Sequence, residues 1–222
     1  AMAGPAADAL PAGALELSAR KLVEAMGFDR RAGRVKLDLQ RRPLARSGAV
    51  VAPARGGAVL SMAPLGAPAD WSALLAALPV ALRRVSVAPH LPVEEAVCGA
   101  GRHEAAYGAL FGTLLHQPLF YRRITGAGRR EAENAALVFR TLAILDLRLA
   151  CALALFEREA FARGPSAALG SRFAEAMEEA TLARVDERLW QLALAPSLPA
   201  STRLAGLALA APLLPALRER CD

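Results

Sequence analysis

The sequence predicts an α+β protein that is mostly helical, with a small antiparallel sheet of about three strands followed by a helical region. The 222 residues are rich in alanine and leucine and only 5% are aromatic, which favours helices packed through small side chains over an all-β fold. Between residues 34 and 40 charged and apolar side chains alternate, as they do in a half-buried strand. Beyond residue 102 the apolar residues recur at helical spacing instead.

The first part of the chain is predicted to hold one helix and then the sheet. Apolar residues at helical spacing predict a helix over residues 14–28, with Gly27 as its stop signal. The glycine pair Gly56-Gly57 permits a tight turn between the second and third strands, which makes the sheet an antiparallel meander. The three strands are predicted at residues 34–40, 48–53 and 58–63.

The rest of the chain is predicted to be helical. The helix after the sheet is expected to begin with Asp70 as its N-cap and to kink or break at Pro79, which lies inside it. The following helix, with Tyr107 among the residues of its buried side, covers residues 102–116. The remaining helices are predicted at residues 130–163, 166–180, 182–193 and 201–220. We expect one domain, residues 1–222, with a helix-plus-sheet lobe at 14–68 and a helical lobe at 69–222.

Charge, cysteine content and hydropathy narrow the class of protein. The net charge is +6, but the arginines are scattered and are not interleaved with aromatics, so we expect solvent-exposed faces and no nucleic-acid partner. Three cysteines without C-x-x-C spacing favour a reducing cytoplasm. No signal peptide is recognised, charges interrupt the apolar run 135–156, and the run 204–217 is short and contains two prolines. We therefore predict a cytoplasmic protein without a membrane helix.

Several short segments between residues 34 and 120 share the pattern of a peptidase family. They are Leu37-Asp38-Leu39, Gly48-Ala49-Val50, Ala69-Asp70-Trp71 and the segment from Glu104 to Leu115. In these segments the chain resembles the oligoendopeptidase and thimet-oligopeptidase-like branch of the gluzincin metallopeptidases. The resemblance places the family's H-E-x-x-H residues on Ala76, Ala77 and Val80, its third zinc ligand on Glu104, and its tyrosine-bearing segment on residues 198–204, which contain no tyrosine. It therefore implies a truncated peptidase that has lost its zinc.

The residues themselves also argue against a metal centre or a cofactor. A catalytic zinc needs three protein ligands, and paired histidine ligands on a helix stand four residues apart. The three histidines are His90, His103 and His116, and no two of them have this spacing. His103 and His116 would lie roughly 20 Å apart on one continuous helix. Cys98 does not lie in a sequence resembling a nucleophile loop, so we predict no metal, no cofactor and no catalytic residue.

The resemblance implies that a substrate cleft can outlast the lost metal. In this family the substrate backbone pairs with an edge strand, which here corresponds to residues 48–53, and such pairing does not need zinc. The Ala76 and Val80 positions would form an apolar floor, and Arg83 and Arg84 would attract acidic groups. The predicted peptide-binding residues are Gly48, Ala49, Val50, Val51, Ala52, Ala76, Val80, Arg83 and Glu104.

The function we predict is that of a non-catalytic pseudoenzyme that captures a peptide and presents or carries it for a partner enzyme. A bacterial precursor peptide of a ribosomal peptide natural-product pathway would be one such cargo. Two alternatives remain open. One is a structural or oligomerisation subunit, for instance a homodimer through the same edge strand. The other is an enzyme with a relocated, metal-free site on Cys98 or His103.

Overall fold

A computed structural model of the chain describes residues 9–10, 14–27, 33–40, 48–54, 57–65, 68–87, 91–92, 101–164, 166, 168–194 and 199–221. The three strands are β1 Val35–Asp38, β2 Ala49–Ala54 and β3 Gly57–Met62. The helices before the long central one are α1 Leu15–Ala25, α2 Pro68–Ser86, α3 Gly101–Gly112 and α4 Pro118–Phe120. The others are α5 Arg129–Arg163, α6 Leu169–Thr181, α7 Trp190–Ala193 and α8 Pro199–Cys221. The prediction of a mostly helical α+β chain with a small three-stranded sheet is confirmed.

The sheet is mixed, so the predicted antiparallel meander was wrong. Its strand order is β1-β3-β2, with β1 parallel to β3 and β2 antiparallel to β3. Ala54 lies opposite Gly57, which is the short connection that the glycine pair predicted. The sequence between β1 and β2 carries no such local signal, and β3 lies between these two strands. Gly57 is required there, because a Cβ at this position would lie 2.1 Å from the carbonyl oxygen of Arg34.

One face of the sheet packs against α2 and the other does not. Burial alternates along β3, with Ala58, Leu60 and Met62 almost completely buried. Residues directly opposite each other in a sheet share a face. Val51, opposite Leu60, therefore faces α2, whereas Val50, opposite Ser61, lies on the other face and is 67% exposed.

Helix α2 runs without interruption through Pro79, so the predicted break is wrong. A proline inside a helix costs about 3 kcal/mol because it removes one hydrogen bond and crowds the preceding turn. Against this, α2 buries Leu74, Leu75, Leu78 and Leu82, each contributing about 2 kcal/mol. The helix also begins at Pro68, before the predicted N-cap Asp70. The buried Asp70 carboxylate accepts a hydrogen bond from the Leu65 N–H at 3.0 Å, so it still secures the start of the helix.

Helix α3 lies between α2 and α8 and makes close backbone contacts with both. A Cβ on Gly108 would lie 3.1 Å from the carbonyl oxygen of Ala76 in α2. A Cβ on Gly206 of α8 would lie 2.5 Å from the Cβ of Ala105. α3 ends at Gly112 and continues as a 3-10 turn, Thr113–His116, so the prediction of one helix over 102–116 is nearly right. Tyr107 is 40% exposed, however, and does not belong to its buried side.

Helix α5 joins two hydrophobic cores. Its 35 residues make it about 50 Å long, and its bounds differ by one residue from those predicted. The first core includes α1, the sheet, α2 and the start of α5, around the aromatic rings of Trp71, Phe120 and Tyr121. The second core is smaller and joins the end of α5 to α6 through Phe156 and Phe173. Between them the middle of α5 is mostly exposed.

Helix α8 is longer than the apolar run on which its prediction was based. Within the described part of the chain it holds the one stretch, residues 200–217, that has the length and composition to cross a membrane, and 17% of that stretch is buried. This stretch extends beyond the run 204–217, so the shortness of that run gives no support to the prediction of no membrane helix, which stays a prediction. α8 also packs against α3 and α5. Such contacts are also typical of a helix that packs within the fold and does not cross a membrane.

Candidate functional site

The backbone direction along β2 follows from one hydrogen bond on the opposite side of β3. The Ala58 N–H donates to the Arg34 carbonyl at 3.0 Å, so the backbone groups of Ala58 point towards β1. In an antiparallel pair these directions alternate from one residue to the next. Its partner Pro53, and likewise Val51 and Ala49, therefore direct their backbone groups away from β3.

The outer side of β2 consequently presents a short row of hydrogen-bonding groups. The row comprises the N–H and C=O groups of Ala49 and Val51 and the C=O group of Pro53. Pro53 has no N–H, so pairing by a further strand would weaken at this end. Within the residues that the structure describes, β2 has β3 as its single strand neighbour. This is the geometry to which an extended chain adds by main-chain hydrogen bonding.

One of these outward groups already has a side-chain partner. The Arg84 Nη1 of α2 donates to the Val51 carbonyl oxygen at 2.6 Å. This contact agrees with the outward direction of that carbonyl. The Nε side of the same guanidinium lies 3.6 Å from the carboxylate of Glu104 on α3, and Arg83 donates to the same carboxylate at 3.4 Å. Glu104 thus ties the end of α2 to α3, and through Arg84 to the strand edge.

The helix pair α2 and α3 places the other predicted site residues. Gly108 lies against Ala76, and Glu104, one turn earlier in α3, reaches Arg83 two turns later in α2. The two helices are therefore antiparallel. Ala76 is exposed and Val80 is half-buried, whereas Ala77 is buried on the core side. Ala76, one of the positions on which the resemblance places a zinc ligand, accordingly forms part of a small-residue helix contact.

The structure brings part of the predicted site together. Val51, Arg83 and Glu104 meet around Arg84, and Ala49 lies on the same outer edge as Val51. Val50 and Ala52 belong to the same strand but turn their backbone groups to β3 and their side chains to the open face. Gly48 is exposed just before the strand, with open space around its Cα. Arg84 has the central role here, although the predicted set of binding residues omitted it.

The sequence contains only a weak signal for that role. Arg83-Arg84 at the end of a helix is an ordinary dipole-compensating arrangement, and α2 has these as the basic residues of its last turn. Which of the two reaches the strand depends on the rotation of α2 relative to the sheet. That rotation follows from the buried leucines, which place Arg84 rather than Arg83 beside Val51.

The structure describes some of the residues that the sequence offered for metal or nucleophile chemistry. The residues with a described position include no cluster of three or more His, Cys, Asp or Glu side chains able to hold a metal ion. His103 is exposed on α3, and His90 and Cys98 lie outside the described residues. His116 is half-buried; burial, and next the nearby Arg140 guanidinium, lower its pKa from the ordinary 6.5. Arg140 also donates two hydrogen bonds to the His116 carbonyl.

A separate groove of about 620 Å³ lies between α5 and α8. It is lined mainly by apolar side chains, including Leu155, Phe161 and Leu204, and by the exposed thiol of Cys151. The Glu157 carboxylate at its wall is 1% exposed and accepts hydrogen bonds from the Ser201 hydroxyl at 2.9 Å and from the first amides of α8. Glu157 is thus occupied in capping α8.

Comparison with known protein families, with curated proteins and with solved structures finds no match for this chain.

Proposed function

We propose that this protein binds an extended peptide along the outer edge of β2 and carries or presents it for a partner enzyme, without catalysing a reaction itself. The observation that carries the proposal is the outward row of backbone groups on Ala49 and Val51. Main-chain pairing supplies affinity with little demand on ligand sequence. The small side chains of the strand do not cover this backbone, although Arg84 already donates to the Val51 carbonyl.

The surroundings of the edge support the same proposal. The antiparallel pair α2 and α3 lies beside the sheet, with Glu104 between them. This arrangement is consistent with a degenerate gluzincin-like peptidase whose metal ligands have been replaced by Ala76 and Val80. A cytoplasmic precursor peptide of a ribosomal peptide natural-product pathway is the cargo class that we propose, and its modifying enzyme is the partner.

The decisive experiment removes one outward N–H and leaves the rest of the strand in place. Val51→Pro deletes the outward N–H at the centre of the row, and Ala49→Pro deletes the one at its start. Peptides selected from a displayed library on the wild-type protein should lose binding to both variants, while circular dichroism shows that the helices remain. Val50→Thr is the matched control, because its side chain is exposed and its N–H bonds to β3. Unchanged binding by both folded proline variants would exclude capture at this edge.

A second candidate, an oligomerisation subunit, is favoured by a different observation. The middle of α5 exposes Leu142, Ile144, Leu145 and Leu147 in succession around the helix. Large apolar side chains exposed close together on one helix are typical of association sites. Sedimentation equilibrium over a range of concentrations tests it, and a constant monomer mass would remove it.

A further inference from the structure

The bond between Arg84 and Val51 stands in the path of any strand that pairs with β2. A ligand strand would need the Val51 carbonyl as an acceptor for one of its own N–H groups. That carbonyl now accepts a hydrogen bond from the Arg84 Nη1 at 2.6 Å. Hydrogen bonds from a charged donor are stronger than bonds from a neutral amide. Because the guanidinium lies on the outward side of this carbonyl, where the N–H of a paired strand would lie, a neutral peptide would exchange a stronger bond for a weaker one.

The guanidinium can change one partner and keep the other. Its Nε side lies 3.6 Å from the Glu104 carboxylate, while Nη1 is directed to Val51. Arg84 is partly exposed, with 27% of its side chain accessible, so a ligand group can reach it from solvent. A ligand carboxylate is the natural replacement for the Val51 carbonyl, because it forms two parallel, charge-assisted hydrogen bonds with a guanidinium.

The position of Val51 decides where such a carboxylate would come from. Outward groups lie on both sides of it, on Ala49 and on Pro53, so a paired strand passes Arg84 at an interior position. An interior residue offers a side-chain carboxylate and no terminal one. The ligand class is therefore an extended peptide with an internal aspartate or glutamate.

Resting on the proposed capture of peptides by β2, we propose that Arg84 is its specificity-determining residue. It closes the central carbonyl of the edge to neutral peptides and releases it to peptides that bring an acidic side chain. Glu104 holds the guanidinium at the edge and competes with the ligand for it.

The test is a parallel selection on the full chain and on Arg84→Met, which keeps side-chain length and removes the donor. The probe is a displayed library of random octapeptides flanked by fixed residues, so that no free carboxyl terminus is offered. We expect acidic residues to be enriched on the wild type and not on Arg84→Met. The asparagine or glutamine counterpart of the best acidic peptide should bind Arg84→Met roughly tenfold more tightly than it binds the wild type.

Two further variants guard against trivial explanations. Arg129→Met removes an exposed guanidinium of α5, outside the β2 edge, and should keep the acidic preference, which controls for the change in net charge. Glu104→Gln keeps a side-chain acceptor beside Arg84 but removes the competing negative charge, so acidic peptides should bind this variant more tightly, a gain that poor folding cannot produce.

Each outcome separates the two proposals. Equal affinity of the neutral peptide for wild type and Arg84→Met, or the same acidic preference in both, would overturn the role of Arg84 and leave edge capture standing. Weaker binding of the neutral peptide by Arg84→Met would do the same, because Arg84 would then be a contact and not a gate. No selected peptide on any variant, with the Val51 carbonyl ¹³C signal shifted in Arg84→Met, would overturn edge capture and the gate with it.

Discussion

The outer edge of β2 and the middle of α5 are both incompletely covered, but they expose different chemistry. At β2 the exposed groups belong to the backbone, and an arginine already screens the central one. At α5 they are leucine and isoleucine side chains in the interior of a helix, where the backbone groups pair with one another. The two surfaces thus differ in the kind of contact they could make: one would be directional and sensitive to proline, and the other would depend on apolar area.

The sharpest way to break the β2 side of this comparison is to separate β1 from β3. Gly57→Ala would place a Cβ 2.1 Å from the Arg34 carbonyl oxygen, which itself accepts the Ala58 N–H. We expect the free energy of unfolding to fall by about 3 kcal/mol, as measured by urea denaturation. Gly48→Ala is the matched control, because a Cβ there meets nothing within 4 Å. Equal stability of the two variants would contradict this account of the sheet.

The second prediction concerns α5 and removes the Glu157 carboxylate, which joins α5 to α8. Glu157→Ala leaves the first amides of α8 and the Ser201 hydroxyl without their acceptor in a buried setting. Loss of a helix cap and of buried hydrogen bonds should cost about 2 kcal/mol, again by urea denaturation. Glu175→Ala, at an exposed position of α6, should leave stability unchanged. A neutral result for Glu157→Ala would mean that another group caps α8.

The apolar part of the comparison is sharpened by a substitution that leaves folding alone. Ile144 is 62% exposed, so Ile144→Gln should change the free energy of unfolding by no more than about 0.5 kcal/mol. If α5 mediates self-association, this variant should shift the sedimentation mass towards the monomer, while Val50→Thr on the sheet should not. A lower sedimentation mass for Val50→Thr alone would mean that the sheet, and not α5, mediates self-association.

The smallest effect on stability is expected at His116, which lies in the 3-10 turn after α3 and contacts Arg140 of α5. Because burial and Arg140 lower the pKa of His116 in the folded protein, the unfolded chain takes up the proton at higher pH. Stability should therefore be complete above about pH 6.5 and decline as the pH falls through the depressed folded value. Thermal denaturation between about pH 7.5 and 5.5 should show a shallower decline in His116→Asn than in the wild type. An identical slope would assign the decline to other groups; His103→Asn, at an exposed position, serves as the control.

The elements that were predicted correctly have signals in their own sequence. The features that were predicted wrongly depend on packing between residues that are far apart in the chain. α5 was predicted to within a residue because helical periodicity continues without glycine or proline from Arg129 to Arg163. The β2–β3 pair followed from the glycines between them, whereas the place of β1 depends on pairing across the sheet, which no neighbouring residue encodes. Pro79 looked like a break because its local cost is visible in the sequence and the burial of α2 is not.

The candidate site divides in the same way. The small side chains of β2 and the basic end of α2 were both evident from the sequence. The contact between Arg84 and Val51 joins residues 33 positions apart and depends on the rotation of α2, so the sequence did not reveal it.

The boundary of the first core has a consequence for how this protein matures on the ribosome. The buried residues of that core extend from Ala9 to Phe139, so all of them are synthesised before α6, α7 and α8. Because domains fold progressively during translation, the β2 edge and its Arg84 screen should form while α3 still lacks its α8 neighbour. During that interval Arg84 would already bond to the Val51 carbonyl of the β2 edge, and this bond would hinder pairing of the edge with other unfinished chains.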